Sequence, residues 1–267
     1  KRQIEFNEPF RYVDVMYDVA FIVMDLRSRD RPDLANLFVN EYVERTGDWE
    51  GLAVLPLYVN RQTYVRAKVT SFLLGDPAVP EADRRAAFDR ASRYYRQAYE
   101  DTRSQTGRLW VMSGLSGSGK TTTARRLAEA NQAIILRSDA VRKHLAGVPL
   151  DERGPQSIYS AEMTEQTYDR LTQLAVMLAQ RGYGVVLDAK YDRRAYREAV
   201  LDAAEQANLP VALVHCTAPM EVLRDRLNQR QGDIADATAD LLAAQAAAFE
   251  PFSDREQGFL RSSDQIA

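Results

Sequence analysis

The stretch Gly114-Leu115-Ser116-Gly117-Ser118-Gly119-Lys120-Thr121 decides how this chain folds and what it can bind. It stands between an apolar run, 109–112, and a helix-forming run, 122–130. The glycines let the backbone wrap with its N–H groups pointing inward, which makes a nest for phosphate oxygens. Lys120 adds a positive charge, Thr121 is placed to ligate Mg²⁺, and the helix turns its positive dipole end to the same point. Strand, loop and helix follow in the order that this binding mode requires, so the stretch predicts a nucleoside triphosphate site.

The nucleotide expected there is ATP. The residues expected to contact it are Gly114, Ser116, Gly117, Ser118, Gly119, Lys120, Thr121 and Thr122.

Composition places the chain among ordinary globular proteins, with 45% hydrophobic and 27% charged residues in 267. One cysteine, Cys216, rules out an internal disulfide and fits a reducing compartment, so we expect a cytoplasmic protein.

No apolar run approaches the ~20 residues of a membrane span, and no signal-peptide pattern opens the chain. The start without methionine suggests a fragment, a processed product or a trimmed form. A net charge of −3, balanced in both halves, argues against a duplex-DNA binder.

Two regions differ in their pattern. Residues 1–105 repeat apolar side chains at helical spacing, whereas 106–267 alternate short apolar runs with segments long enough for helical crossovers. The runs lie at 109–112, 133–136, 185–187 and 211–214, with a weaker one near 259–260. Crossovers of this length imply a parallel sheet. We therefore predict an α/β P-loop NTPase fold over 106–267, with helices flanking a parallel sheet, preceded by an all-α region over 1–105.

Asp139 and Arg142 follow the second apolar run. Ligands of an open α/β sheet collect at the carboxyl ends of its strands. An aspartate there can accept the proton of a substrate hydroxyl, and Arg142 can hold the acceptor or the transferred phosphoryl group. The alternative is that Asp139 only caps the helix that follows, since aspartate is a favoured N-cap residue.

Asp188 ends the apolar run 185–187. This is the Walker B pattern, in which the aspartate holds Mg²⁺ directly or through water. Together with Thr121 it is our predicted metal site. Lys190, Arg193 and Arg194 come next and could contact substrate or phosphate, or simply form a solvated helix start.

Arg226 and Arg230 stand four residues apart, on one face of a predicted helix. Phosphoryl transfer needs cations over the developing charge, and a lid that carries arginines supplies them while excluding water. The alternative is a charged surface helix with Asp225 as a partner.

These motifs, with Ala218-Pro219, resemble P-loop kinases of small molecules and polynucleotide ends, a group that includes gluconate kinase, zeta-toxin-like kinases and 5′-hydroxyl polynucleotide kinase. More specifically, the whole chain resembles bacterial two-part proteins with an aminoglycoside-phosphotransferase-like domain before a P-loop kinase domain. The lid and post-lid pattern of that group is similar to 234–237, Gln245 and Glu250-Pro251.

The first region resembles the tail of the aminoglycoside-phosphotransferase-like domain, at 4–14, 18–21 and 65–69. The catalytic loop of that domain and its metal-binding aspartate would precede residue 1. The resemblance therefore implies that 1–105 is a helical remnant without catalytic activity of its own.

The motifs and the resemblance together predict an ATP- and Mg²⁺-dependent kinase with a hydroxyl-bearing small molecule as its acceptor. Lys120, Asp139, Arg142, Arg226 and Arg230 are the expected catalytic residues. Three alternatives stay open: an NTPase that changes conformation, a non-catalytic ATP-binding adaptor, and a kinase of nucleic-acid 5′ ends, against which the near-neutral charge argues. The sequence does not specify the acceptor or the oligomeric state.

Overall fold

The computed structural model of this chain describes residues 12–103, 105–229, 234 and 239–262. The chain divides into two compact units. The first comprises Lys1–Val39 and Glu50–Ser104, and the second comprises Asn40–Trp49 and Gln105–Ala267. No helix among the described residues is long and apolar enough to cross a membrane.

Helices build the described part of the first unit. They are α1 (Val15–Ser28), the beginning of α2 (Pro32–Thr46), α3 (Leu55–Ser71) and α4 (Glu81–Glu100), with 3₁₀ turns at Glu50–Ala53 and Phe72–Leu74. The Asp14 side chain caps α1 by accepting from the Met16 N–H at 2.9 Å. α1 buries Met16, Val19, Ala20, Val23 and Met24, the i, i+3, i+4 pattern of an amphipathic helix. α3 packs against both α1 and α4.

A five-stranded parallel sheet forms the centre of the second unit, in the order β2-β3-β1-β4-β5. Its strands are β1 (Arg108–Ser113), β2 (Ile134–Arg137), β3 (Gly184–Asp188), β4 (Val211–His215) and β5 (Leu260–Ser262). The helices between and after them are α5 (Lys120–Asn131), α6 (Ser138–Ala146), α7 (Ala161–Ala179), α8 (Arg194–Gln206), α9 (Met220–Asn228), α10 (Leu242–Ala248) and α11 (Asp254–Gln257). Two further 3₁₀ turns cover Gln156–Tyr159 and Ala239–Leu241.

Alternating side chains of the strands pack against helices. Trp110 and Met112 of β1 share one buried cluster with Leu127 of α5, whereas Leu109 and Val111, which alternate with them, point to the opposite face. α7 contacts β1 and β3 as well. The predicted α/β fold, with helices flanking a parallel sheet, is confirmed.

The boundary predicted after residue 105 stays a prediction. The second unit begins at Gln105 along the main run of the chain, but it also takes in 40–49, which the sequence pattern assigned to the first region. Those ten residues contain the end of α2.

Candidate active site

Glycines shape the loop between β1 and α5. Gly114 has φ +140°, and a Cβ there would lie 2.2 Å from the Cys216 carbonyl oxygen. Gly117 has φ +79°, and a Cβ would lie 2.9 Å from the Leu223 carbonyl oxygen. Any side chain at either position would both strain the backbone and meet another backbone segment. Gly119, with φ +96°, is the N-cap of α5. The loop is thus held closed around the N-terminus of α5, the geometry expected of a phosphate nest.

Lys120 is the first residue of α5, and its ammonium group folds back into the loop. Its Nζ donates to the carbonyl oxygens of Gly114 at 2.9 Å and Leu115 at 2.7 Å. Burial lowers the pKa of Lys120 below its ordinary value, and the negative charge of Asp188, with a smaller contribution from Asp139, opposes that effect. Two backbone carbonyl oxygens therefore hold the Lys120 ammonium group inside the loop.

Thr121 and Asp188 meet directly. The Thr121 hydroxyl donates to Asp188 Oδ2 at 2.8 Å, and the carboxylate is buried. Mg²⁺ prefers oxygen ligands and usually takes one or two from the protein, the rest from phosphate and water. A hydroxyl and a carboxylate at the mouth of the loop fit that requirement. No cluster of three or more His, Cys, Asp or Glu side chains suited to a metal occurs in the part of the chain that the structure describes. Thr122 is exposed on the next position of α5.

Asp139 and Arg142 lie on α6, directly after β2. The N-cap of α6 is Arg137, so Asp139 is the second residue of the helix, and the capping alternative is wrong. Arg142 is buried, and its Nη1 donates to the Ile158 carbonyl oxygen at 2.9 Å and to Thr164 Oγ1 at 3.2 Å. Its guanidinium also lies 5.3 Å from the centre of the Tyr159 ring. These contacts fix Arg142 against the 3₁₀ turn and the start of α7.

Arg226 reaches the phosphate loop from α9. Its Nη1 donates to the Gly117 carbonyl oxygen at 3.1 Å, and its side chain is exposed. Arg230, the other predicted lid arginine, lies outside the described residues, as do 235–237.

Three residues after β3 were considered as substrate contacts. Lys190 pairs with Asp192 at 3.0 Å, and its carbonyl oxygen accepts from the Gly114 N–H at 2.9 Å. Arg193 and Arg194 are exposed where α8 begins, as the solvated-helix alternative expected.

The segment around α10 is tied to the phosphate loop. Gln245 accepts a hydrogen bond from the Ser116 N–H through its Oε1 at 3.1 Å. Glu250, just beyond α10, accepts from the Arg194 N–H at 2.6 Å and donates its own N–H to the Asp192 carbonyl oxygen at 2.8 Å. The Gln245 side chain therefore accepts a hydrogen bond from one of the backbone N–H groups of the phosphate loop.

A cavity of about 260 Å³ lies beside the same loop. Its walls are Leu115, Ser118, His215, Cys216, Thr217, Ala218, Leu223, Ala246 and Phe249. Two buried polar atoms in these walls, Ser118 Oγ and His215 Nδ1, make no hydrogen bond with the protein. The cavity is large enough for water to hydrate both atoms.

Sequence reasoning missed the ion pairs of two buried arginines. Arg197 is fully buried on α8 and pairs with the equally buried Glu256 of α11. Arg137 at the end of β2 pairs with both Glu44 and Asp188. None of these pairs follows a spacing rule, because the partners come from segments far apart in the chain, and charged residues ordinarily face solvent.

Comparison with known proteins gives a family match over the sheet unit. A family model described as an AAA domain, AAA_33, matches residues 109–252. An adenylyl-sulfate kinase of Myxococcus xanthus is 31% identical over 150 residues, which are 55% of this chain and 73% of that protein. A solved gluconokinase from Sinorhizobium meliloti is 22% identical and covers 60% of this chain and 83% of its own, with a TM-score of 0.42.

A longer relative matches both regions. An uncharacterized protein of Mycobacterium tuberculosis is 32% identical over 250 residues, which are 91% of this chain and 49% of the relative. The chain thus spans about half the length of the mycobacterial relatives that it matches.

Proposed function

Because the chain belongs to the AAA_33 family of AAA domains and to the same family as an adenylyl-sulfate kinase, we propose that it is an ATP-dependent phosphotransferase. It moves the γ-phosphoryl group of ATP to a hydroxyl of a small molecule and requires Mg²⁺. The observation that carries the proposal is the hydrogen bond from the Thr121 hydroxyl to Asp188 at 2.8 Å, beside the loop that holds the Lys120 ammonium group. β2 pairs with β3 so that Arg137 lies opposite Asp188, and Asp139 follows Arg137 by two residues at the start of α6. The proposed base therefore follows the strand next to the one that carries the proposed metal ligand.

Each residue has a role in the proposed reaction. The loop N–H groups and Lys120 hold the β- and γ-phosphates. The Asp139 carboxylate accepts the hydroxyl proton while the acceptor oxygen bonds to the γ-phosphorus and the bond from that phosphorus to the ADP oxygen breaks. Arg142, fixed by Ile158 and Thr164, orients the acceptor. Arg226 lies over the loop, where it can offset the charge of the transferred group.

Thr121 and Asp188 would hold Mg²⁺. When bound, the ion neutralises charge on the phosphate oxygens of the nucleotide. Before that, the hydrogen bond between the two side chains keeps both oxygens at the loop mouth.

The test is ADP formation from ATP with Mg²⁺, without an acceptor and with separate pools of sugars, aminoglycosides, nucleosides, nucleotide sugars, adenylyl sulfate and 5′-hydroxyl oligonucleotides. Turnover that needs one pool supports the proposal and gives the acceptor class. Lys120→Ala should abolish this turnover. Lys68→Ala, which changes an exposed lysine of α3, should leave it unchanged. Turnover that ignores every pool would instead favour an NTPase, and ATP binding without turnover would favour an adaptor.

A further inference from the structure

Asn40 closes the edge of the sheet with its side chain. β2 is an edge strand, so its outward backbone groups have no neighbouring strand. The Asn40 Nδ2 donates to the Ala133 carbonyl oxygen at 3.0 Å, and its Oδ1 accepts from the Ile135 N–H at 2.7 Å. The amide thus pairs as a strand would, and it fixes the end of α2 beside β2 within the second unit.

Glu44 follows one helical turn later and faces the end of β2. Its Oε1 lies 3.4 Å from Arg137 Nη1, and its carbonyl oxygen lies 2.7 Å from His144 Nε2 on α6. Trp49 packs edge-on against the same histidine ring, with 5.3 Å between the ring centres. The contact with His144 therefore holds the Glu44 backbone beside α6, and Arg137 pairs with the Glu44 carboxylate.

Arg137 joins this carboxylate to the predicted metal ligand. Parallel pairing of β2 with β3 places Arg137 opposite Asp188, and Arg137 Nε lies 3.7 Å from Asp188 Oδ2. That oxygen also accepts from Thr121. The side chains of Arg137, Asp188 and Glu44 are only 8%, 5% and 21% exposed, so their charges act on one another with little screening.

We propose that Glu44 is a positioning residue for Mg²⁺ binding, which it supports by sharing the Arg137 guanidinium with Asp188. Without Glu44, more of the positive charge of Arg137 would act on Asp188, where it would oppose a cation on that carboxylate. The inference rests on the proposed function, since it assigns Asp188 to the metal of that site. It also gives residues 40–49, from the region predicted to be a remnant, a direct role at the phosphate site.

Charged groups on α2, α5 and β2 act on the Glu44 carboxylate. Burial raises the pKa of the Glu44 carboxyl, Arg137 and Arg125 oppose that change, and Glu41 adds to it. Glu41 is a useful comparison because it lies one turn earlier on α2 and pairs with Arg45 at 3.3 Å, where both side chains are more than half exposed.

The experiment measures binding of a non-hydrolysable ATP analogue to the full chain over a range of Mg²⁺ concentrations. Glu44→Gln keeps the side-chain shape and should raise the Mg²⁺ concentration for half-maximal binding by about tenfold, as for other groups that support a metal ligand. Glu41→Gln should shift it by no more than about twofold. Glu44→Asp keeps the charge on a shorter side chain. Its Mg²⁺ concentration for half-maximal binding should lie between those of the native chain and Glu44→Gln.

A double-mutant cycle separates positioning from a general charge effect. In an Arg137→Gln background, Glu44→Gln should no longer change the Mg²⁺ requirement; a shift that persists there would overturn the inference. An unchanged requirement in a folded Glu44→Gln variant would overturn it as well, and would leave the proposed function intact. If the native chain bound no nucleotide at any Mg²⁺ concentration, the proposed function itself would fail.

Discussion

The proposed general-base role of Asp139 can be tested directly. It is the second residue of α6, the helix that directly follows β2. Asp139→Asn should leave ATP binding unchanged but slow phosphoryl transfer by about 10²-fold or more, the usual contribution of a general base. Single-turnover kinetics with the identified acceptor measures this. Asp151→Asn, an exposed aspartate after α6, is the matched control. Unchanged turnover in Asp139→Asn would assign the base to another group.

His215 should make stability depend on pH. Burial lowers the pKa of its imidazole below the ordinary value of 6.5, and the ring packs 5.0 Å from Phe252 and 5.5 Å from Phe249, centre to centre. As pH falls below about 6.5, the unfolded chain takes up a proton before the folded chain does, so stability is lost. The melting temperature should therefore fall less for His215→Phe than for the native chain when the pH is lowered from about 7.5 to about 5.5. An equal loss in both would contradict this assignment.

Residue types and their spacing predicted the residues of the candidate site better than they predicted the contacts that hold those residues in place. The glycine pattern predicted Gly114 and Gly117 because only glycine fits a loop with positive φ and close backbone neighbours. Arg142 was expected beside the acceptor, but its bonds to Ile158 and Thr164 depend on how the 3₁₀ turn and α7 fold back. Long-range contacts of this kind have no local signature in the chain.

At the scale of elements, α10 contacts the phosphate loop through Gln245. Its Oε1 holds the Ser116 N–H at 3.1 Å. Gln245→Glu would place a negative charge at the loop mouth and should weaken ATP binding by about tenfold or more, because like charges repel the phosphates. Calorimetric titration with ATP measures the change. Gln173→Glu, the same change at an exposed position of α7, should have little effect, and equal weakening by both would show that only net charge matters.

A buried ion pair joins α8 to α11. Arg197 pairs with Glu256 and also donates to the carbonyl oxygens of Tyr191, at 3.1 Å, and Glu250, at 3.1 Å. Arg197→Met leaves the Glu256 carboxylate buried without its partner, so it should lower the free energy of unfolding by about 3–5 kcal/mol.

Urea denaturation of that variant and of the double variant Arg197→Met/Glu256→Leu checks the cause. The double variant should recover most of the loss, since replacing a whole buried pair by apolar side chains is often neutral. If it recovered none, the backbone carbonyl bonds of Arg197 would account for the stabilisation instead.

For the whole molecule, the order of strands and helices was predictable and the grouping into units was not. All five apolar runs are strands in a parallel sheet, since each is short and separated by a long crossover. The helical spacing of residues 1–105 was equally clear, but it assigned all of α2 to the first region. Asn40 and Glu44 are ordinary polar residues of that helix, and only the structure brings them to β2.

This grouping leads to a prediction for unfolding. Both tryptophans of the chain, Trp49 and Trp110, belong to the second unit, so tryptophan fluorescence reports that unit alone. ATP with Mg²⁺ at about 100 times its dissociation constant should stabilise the unit that binds it by about 2.7 kcal/mol. The fluorescence transition should therefore move to higher urea, and Lys120→Ala should remove the shift. The opposite result would be a fluorescence transition that ATP does not move in the native chain, together with a helical circular dichroism signal that ATP stabilises. That result would assign nucleotide binding to the first unit and contradict the site described above.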